Sequence, residues 1–440
     1  MRLNLNRYIA GGMGLLMALL IVACSPRLAP GTAEAPVSEA FMARPDGFSE
    51  RYALDEMVIL SRHNIRSPLV SKNSVLTRLT NPDYHWFPWE GTPSHLTPRG
   101  ERLESKMGDF FNQWLSKKGF VTSYTSDHNT FRFYANAKQR CQVTARQFAD
   151  AALPGKNPRV EMNVQYDTMD PVFNPQITKI SDQFIGQARK EIRELFGEDL
   201  NKGVADGYAL LERVIDITRA PAYPDTTSFS QFPTAVGFEL YKEPFMTGGL
   251  NMACTISDAL SLQYYEEPDD KKAAFGHTLT FDDWVTVSSV KEWYGKVLFS
   301  APSVAVNVAH PLLQVILSEL QNEKRVFTLL CGHDSNIGSV LAALDAEIPD
   351  LTGSAEKRTP IGGKLVFECF KGSDGNHYAD LLLVYAKAGQ LRAESTLTYD
   401  NPPAGIPLKL NGLKENADGL YLLSELEQRL SQAIEAYDNL

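Results

Sequence analysis

Glu56-Met57-Val58-Ile59-Leu60-Ser61-Arg62-His63-Asn64-Ile65-Arg66-Ser67-Pro68 is the stretch on which the reading of this chain turns. Its first half is a short, continuous apolar run and reads as a strand buried on both faces. Its second half turns abruptly cationic and ends in proline, as a loop does. The same grammar recurs at Arg325-Val326-Phe327-Thr328-Leu329-Leu330, which runs through Cys331 into Gly332-His333-Asp334-Ser335-Asn336. In open α/β sheets, ligands bind in the crevice beyond the carboxyl ends of the strands. Two such strands side by side would bring both loops to one place.

Working outward, Phe131-Arg132-Phe133-Tyr134-Ala135 reads as a further strand, with a helix from Gln139 to Leu153 after it. Thr97 reads as an N-cap and Pro98 as the first helical residue. Leu103, Met107, Phe110, Phe111, Trp114 and Leu115 then recur at helical spacing up to a stop at Gly119. From about 180 to 300 strand-like runs are scarce. Ile180–Phe196, Gly207–Ile217, Met252–Tyr265 and Asp282–Leu298 carry helical periodicity, as does Val308–Glu319 beyond them. Lys364–Phe370 and Ala379–Tyr385 read as a hairpin. The expected fold is a layered α/β domain with a central mixed sheet, built from residues 47–135 and 300–440. A mostly helical cap, residues 136–299, is inserted between them.

Composition narrows the function. The chain has 440 residues, 43% hydrophobic and 22% charged, with a net charge of −10. That balance suits a globular chain, and the missing basic footprint argues against a nucleic-acid binder. No stretch reaches the roughly 20 apolar residues of a comfortable membrane span. At the N-terminus Arg2 and Arg7 precede an apolar run that ends in Leu20-Ile21-Val22-Ala23-Cys24. Residues 1–23 read as a signal peptide and Cys24 as a lipidated first residue, similar to a bacterial lipobox. Residues 24–46, rich in Ala, Pro and Ser, read as a flexible tether. The expected setting is export, with the protein lipid-anchored to a bacterial membrane, periplasmic or facing the surface. Cys141, Cys254, Cys331 and Cys369 show no CxxC spacing and are expected as free thiols.

Two arginines and two histidines converging in an acidic protein make a local anion site, and phosphate matches the guanidinium forks. A neutral imidazole is a competent nucleophile toward phosphorus. His63 is the candidate nucleophile, Arg62 and Arg66 the phosphoryl clamp, His333 a further donor and Asp334 the acid for the departing alcohol. No metal-ligand spacing such as H-x-x-x-H is present, so neither a metal nor another cofactor is expected.

R-H-x-x-R-x-P with a later G-H-D-x-N resembles the histidine acid phosphatases, the two-histidine branch of the histidine phosphatases. The resemblance extends to the bacterial periplasmic glucose-1-phosphatases, which sit near the phytases. It is carried by Asn64 in the first motif, Thr168–Pro175, Leu262–Glu266, Gly332–Ile337 and Arg358–Lys364. It implies a phosphohistidine mechanism on a small phosphomonoester such as a sugar phosphate, and a site at the junction of the two domains. It further implies Arg140 as a third phosphate ligand and Glu266 as an acidic wall of the specificity pocket. Cys141 stands where this family usually has threonine. A phytase-like enzyme and a non-catalytic sugar-binding lipoprotein are the competing expectations. The Tyr84-His85-Trp86-Phe87-Pro88-Trp89 cluster fits either a sugar-stacking wall or a packed loop.

Overall fold

The computed structural model describes residues 44–69, 74–125 and 129–440. Cys24, the signal peptide and residues 24–43 of the expected tether lie outside the described residues. The first decisive strand is β1 (Tyr52–Arg62). Along it Met57 and Ile59 point into one core and Val58 and Leu60 into the other. That is the period of two expected of a strand covered on both faces.

Helix α1 (Pro98–Lys117) begins as its sequence predicts, with the Thr97 hydroxyl accepting the Gly100 amide at 3.0 Å. After β2 (Phe131–Ala135) come α2 (Gln139–Ala152) and β3 (Val160–Glu161). The strand β3 pairs in parallel with β2. This moves the insert boundary: residues 136–161, expected in the helical cap, belong to the sheet layer. A parallel pair needs a crossover helix, and α2 supplies it.

The helical part follows as α3 (Asp182–Phe196), α4 (Ala205–Val214), α5 (Gly249–Glu266) and α6 (Phe281–Phe299). A short hairpin, Ala235–Gly237 with Phe245–Thr247, interrupts it. Helices α5 and α6 are tied by Ser257, whose hydroxyl donates to the Val287 carbonyl, and by Ser261 with Ser288.

The chain returns to the sheet through α7 (Pro302–Leu320), β4 (Phe327–Gly332) and α8 (Asp334–Ala343). Helix α7 starts six residues before the expected Val308 and runs through Pro311. By length and composition it could span a membrane, yet most of its apolar window is buried in the core beside α8 and β1. The hairpin of β5 (Lys364–Gly372) and β6 (His377–Tyr385), then β7 (Ala404–Pro407), β8 (Tyr421–Leu422) and α9 (Leu423–Asp438) complete the layer. The sheet runs β7-β6-β5-β1-β4-β2-β3, with β8 on β6. Strands β1, β4, β2 and β3 are mutually parallel and the β5–β6 half is antiparallel, which gives the expected mixed sheet.

Arg44 belongs to this body, not to the tether. Glu368 on β5 and Asp380 on β6 face each other across the hairpin. Two buried carboxylates directly opposite repel, and burial pushes both carboxyls up, Glu368 to about 8. Arg44 bridges them at 2.5 and 2.7 Å. Replacing Arg44 with Met should cost on the order of 2 kcal/mol near pH 9, above the raised pKa of Glu368. A carboxyl whose pKa is higher folded than unfolded destabilises the fold as pH rises between the two values. The loss should therefore shrink toward pH 5, as urea unfolding at the two pH values would read.

Candidate active site

The sheet ladder aligns three loops at one edge. Arg62 of β1 pairs with Gly332 of β4, and Ala135 of β2 with Cys331 of β4. The ladder continues one step further: the His63 amide donates to the Gly332 carbonyl at 3.0 Å and the Asn136 amide to the Cys331 carbonyl at 2.9 Å. His63, His333 and Asn136 are thereby set side by side. The rings of His63 and His333 meet edge to face with centroids 5.5 Å apart.

The motif loop is fixed from below by a buried ion pair. Lys364 and Glu104 lie 2.8 Å apart, both almost fully inaccessible. The other Glu104 oxygen accepts from the Asn64 amide at 2.9 Å, and Lys364 also donates to Ser61 and the Gly362 carbonyl. Gly362 has φ +65°, and a Cβ there would sit 2.6 Å from the Asn64 side-chain nitrogen. Glycine is needed both for the angle and for the space.

Hydrogen bonding assigns the protons on both rings. His63 Nδ1 lies 2.8 Å from the Asn64 carbonyl, which can only accept, so Nδ1 carries the hydrogen and Nε2 keeps its lone pair. Burial lowers the pKa of His63 well below the usual histidine range, and Arg140, His333, Arg66 and Arg62 push the same way. The ring is neutral. His333 Nε2 accepts from the Asn136 amide at 2.8 Å, whose orientation is set by its oxygen accepting the Asp170 amide. His333 Nδ1 is then a donor, 3.5 Å from Arg140 Nη2, another donor. Two adjacent donors are satisfied together by one oxyanion. The buried Nε groups of Arg62 and Arg140 have no partner among the described residues, leaving further donors for it. Arg140 sits in the first turn of α2, where free backbone amides favour anions.

The cations are kept apart by carboxylates. Arg62 bonds Glu356 at 2.6 Å and lies 3.5 Å from Asp334. Arg66 bonds Asp258 at 2.9 Å. Lys291 reaches Asp334 at 3.0 Å, Asp258 at 3.1 Å and Glu356 at 3.8 Å. Burial alone would raise the pKa of Asp334, but Lys291 and Arg62 outweigh it and hold the carboxyl well below the usual range.

A cavity of about 380 Å³ opens beside this cluster, with Arg66, Asp334, Lys291, Asp258 and Glu243 in its wall. His63, Asp334, Arg62, Arg66, Arg140 and His333 thus lie together. Glu266, the expected acidic pocket residue, stands at the end of α5 and, like His63 and Arg140, is outside the lining of this cavity. Its carboxylate accepts from the capping hydroxyl of Thr97 at 3.0 Å, so it braces the start of α1. The aromatic loop also stays out of that wall. Tyr84 and Trp86 pack on Phe275, and Phe87 on Trp89. Cys141, Cys254, Cys331 and Cys369 are free. The Cys141 thiol donates to the Gly332 carbonyl at 3.4 Å.

Sequence reasoning missed Lys291, Asp258, Glu243, Glu356 and Asn136. Asp258 had a signal, as the single charged residue in the stretch 249–265.

A mixed sheet with a two-histidine, multi-arginine edge defines the class. Residues 53–383 match the histidine phosphatase superfamily, branch 2, and the chain belongs to that family: it is a phosphatase. It is 34% identical over 394 residues to a glucose-1-phosphatase of Salmonella typhimurium, covering 87% of this chain and 93% of that protein. It is 32% identical over 415 residues to a glucose-1-phosphatase of Providencia rettgeri, covering 91% and 96%. Among solved structures, Hafnia alvei phytase in complex with tartrate superposes with a TM-score of 0.79 at 25% identity, covering 89% of this chain and 99% of that one. The alternative of a non-catalytic binding protein is set aside.

Lys291 offers a test of the charge cluster. An ionised carboxylate with a depressed pKa stabilises the fold above its unfolded value, about 3.9 for Asp, and that contribution is lost as pH falls through the folded value. Lys291→Met should therefore cost on the order of 2 kcal/mol at pH 7, below the full cost of a sealed pair because the cavity admits water. The difference from wild type should fade below about pH 4, as read by urea unfolding across pH.

Proposed function

We propose that the protein hydrolyses a sugar phosphate through a phosphohistidine on His63. The observation that carries this is the bond from His63 Nδ1 to the Asn64 carbonyl, which leaves Nε2 unprotonated among cations. His63 Nε2 attacks phosphorus as the P–O ester bond breaks, and the departing alcohol oxygen takes a proton from Asp334. Water then attacks the phosphohistidine, gives a proton to the Asp334 carboxylate, and inorganic phosphate leaves as the N–P bond breaks. Arg62, Arg66, Arg140 and His333 hold the phosphoryl oxygens and stabilise the charge of the transition state.

In this structure Lys291 and Arg62 keep Asp334 ionised. Phosphate bound to Arg62 would relieve that hold, and an acidic medium would supply the proton. This fits an acid optimum.

Glu243 and Asp258 in the cavity wall suit the hydroxyls of a sugar. Carboxylates outnumber cations there, which favours a sugar phosphate over a phytase-like substrate with many phosphates. The two glucose-1-phosphatase relatives support the same choice. The N-terminal motif ending in Cys24 supports an exported lipoprotein on the periplasmic or outer face of a bacterial membrane.

His63→Ala should abolish phosphate release from p-nitrophenyl phosphate, a drop of at least ~10⁴-fold, with an unchanged far-UV spectrum. Retained turnover would remove His63 as the nucleophile. Asp334→Asn should slow alkyl phosphates about 100-fold more than the activated aryl ester. An equal loss on both would remove the acid role.

A further inference from the structure

Arg358 is a half-buried cation in the wall of the catalytic cavity, and the mechanism above does not use it. Its Nη2 donates to the Ser300 hydroxyl at 2.6 Å and to the Gly338 carbonyl at 3.1 Å. Among the described residues no carboxylate lies within ion-pair distance of it, and Nη1 and Nε have no partner. A guanidinium that faces a cavity with no carboxylate beside it is free to take an anion from solution. Burial pushes the pKa of this one down to about 10, with only longer-range support from Glu292 and Asp334.

Its position gives the missing partner a place. Arg358 lines the catalytic cavity and also a second cavity of about 520 Å³, which Ser300, Lys296 and Lys357 line as well. A Cβ on Gly338 would lie 3.6 Å from the guanidinium carbon. Gly338 is four residues after Asp334 on α8, so it shares that helix face one turn, about 5.4 Å, further on. The free guanidinium donors therefore stand one helical turn from the group assigned to protonate the leaving oxygen. Glu292 accepts the backbone amide of Arg358 at 2.6 Å. Burial raises its carboxyl to about 7, so in acid it is neutral and leaves Arg358 uncompensated.

We propose that Arg358 anchors a second anion subsite, so that the preferred substrate carries a further oxyanion on its departing alcohol, one helical turn from the scissile oxygen. One spare cation fits one additional phosphate or carboxylate, not a polyphosphate. The inference rests on the sugar-phosphate reading and narrows it to sugar phosphates with a second acidic group.

The test uses three compounds that share a C1 phosphate and differ at C6: glucose 1-phosphate, glucuronic acid 1-phosphate and glucose 1,6-bisphosphate. Each is measured as a competitive inhibitor of p-nitrophenyl phosphate hydrolysis by the full chain at pH 5 and constant ionic strength. At least one of the two doubly acidic compounds should inhibit about tenfold more strongly than glucose 1-phosphate. Which one does tells carboxylate from phosphate at the subsite. Arg358→Gln should reduce the advantage to within about twofold, and Arg358→Lys should keep part of it.

No advantage in the wild type would overturn the proposal without any variant, whether or not Arg358→Gln folds. An advantage that survives in Arg358→Gln would overturn it as well, since general attraction to the phosphate cluster would then explain it. Failure of the sugar-phosphate reading looks different: none of the three compounds would compete, while p-nitrophenyl phosphate would still be hydrolysed, and the subsite would fall with that reading.

Discussion

The alternation of charge along Arg66, Asp258, Lys291, Asp334 and Arg62 is what permits the rest of the site to exist. Guanidinium groups crowded at one sheet edge repel one another, and burial makes the repulsion worse. Arg66, Lys291 and Arg62 are tolerated because a carboxylate stands between each and the next. The chain of charges crosses from helices α5 and α6 of the insert to β1 and α8 of the sheet layer, so the two parts are joined by the same atoms that prepare the chemistry. Asp334, the proposed general acid, is a member of this chain, and its proton affinity is set by the same cations that are proposed to hold phosphate.

Beneath it, the arrangement of the two histidines depends on backbone geometry. The parallel ladder sets where the two rings stand, and single carbonyl and amide partners decide which nitrogen of each bears hydrogen. A side-chain partner for His63 Nδ1 could rotate away; the Asn64 carbonyl is part of the loop and is held by the buried Glu104–Lys364 pair below. The orientation of the His63 ring, the proposed nucleophile, is thus traced to an ion pair beneath the loop.

Much of this was legible in the chain. The strand-to-loop transitions at Arg62 and Gly332 located the sheet edge, because a continuous apolar run can be only a buried strand or a buried helix and these two were short. Arg140, expected as a third phosphate ligand, stands 3.5 Å from His333. What escaped reading shares a cause. Lys291 and Asp258 lie on helices whose periodicity looks like ordinary core, and only the packing of α5 against α6 turns them toward Asp334. The Glu266 carboxylate, expected in the pocket, accepts from a neighbouring cap, Thr97, a contact that no local pattern announces. Arg44 looked like tether because its partners, Glu368 and Asp380, are more than 300 residues away in sequence. The insert boundary was set too early because nothing local distinguishes a crossover helix from a cap helix.

The Arg44 clasp has a directional consequence. Glu368, which it grips, pairs with Met57 on β1, five residues before the Arg62 end of that strand, or roughly 16 Å at the usual rise. The polypeptide therefore joins the folded body well back from the catalytic rim.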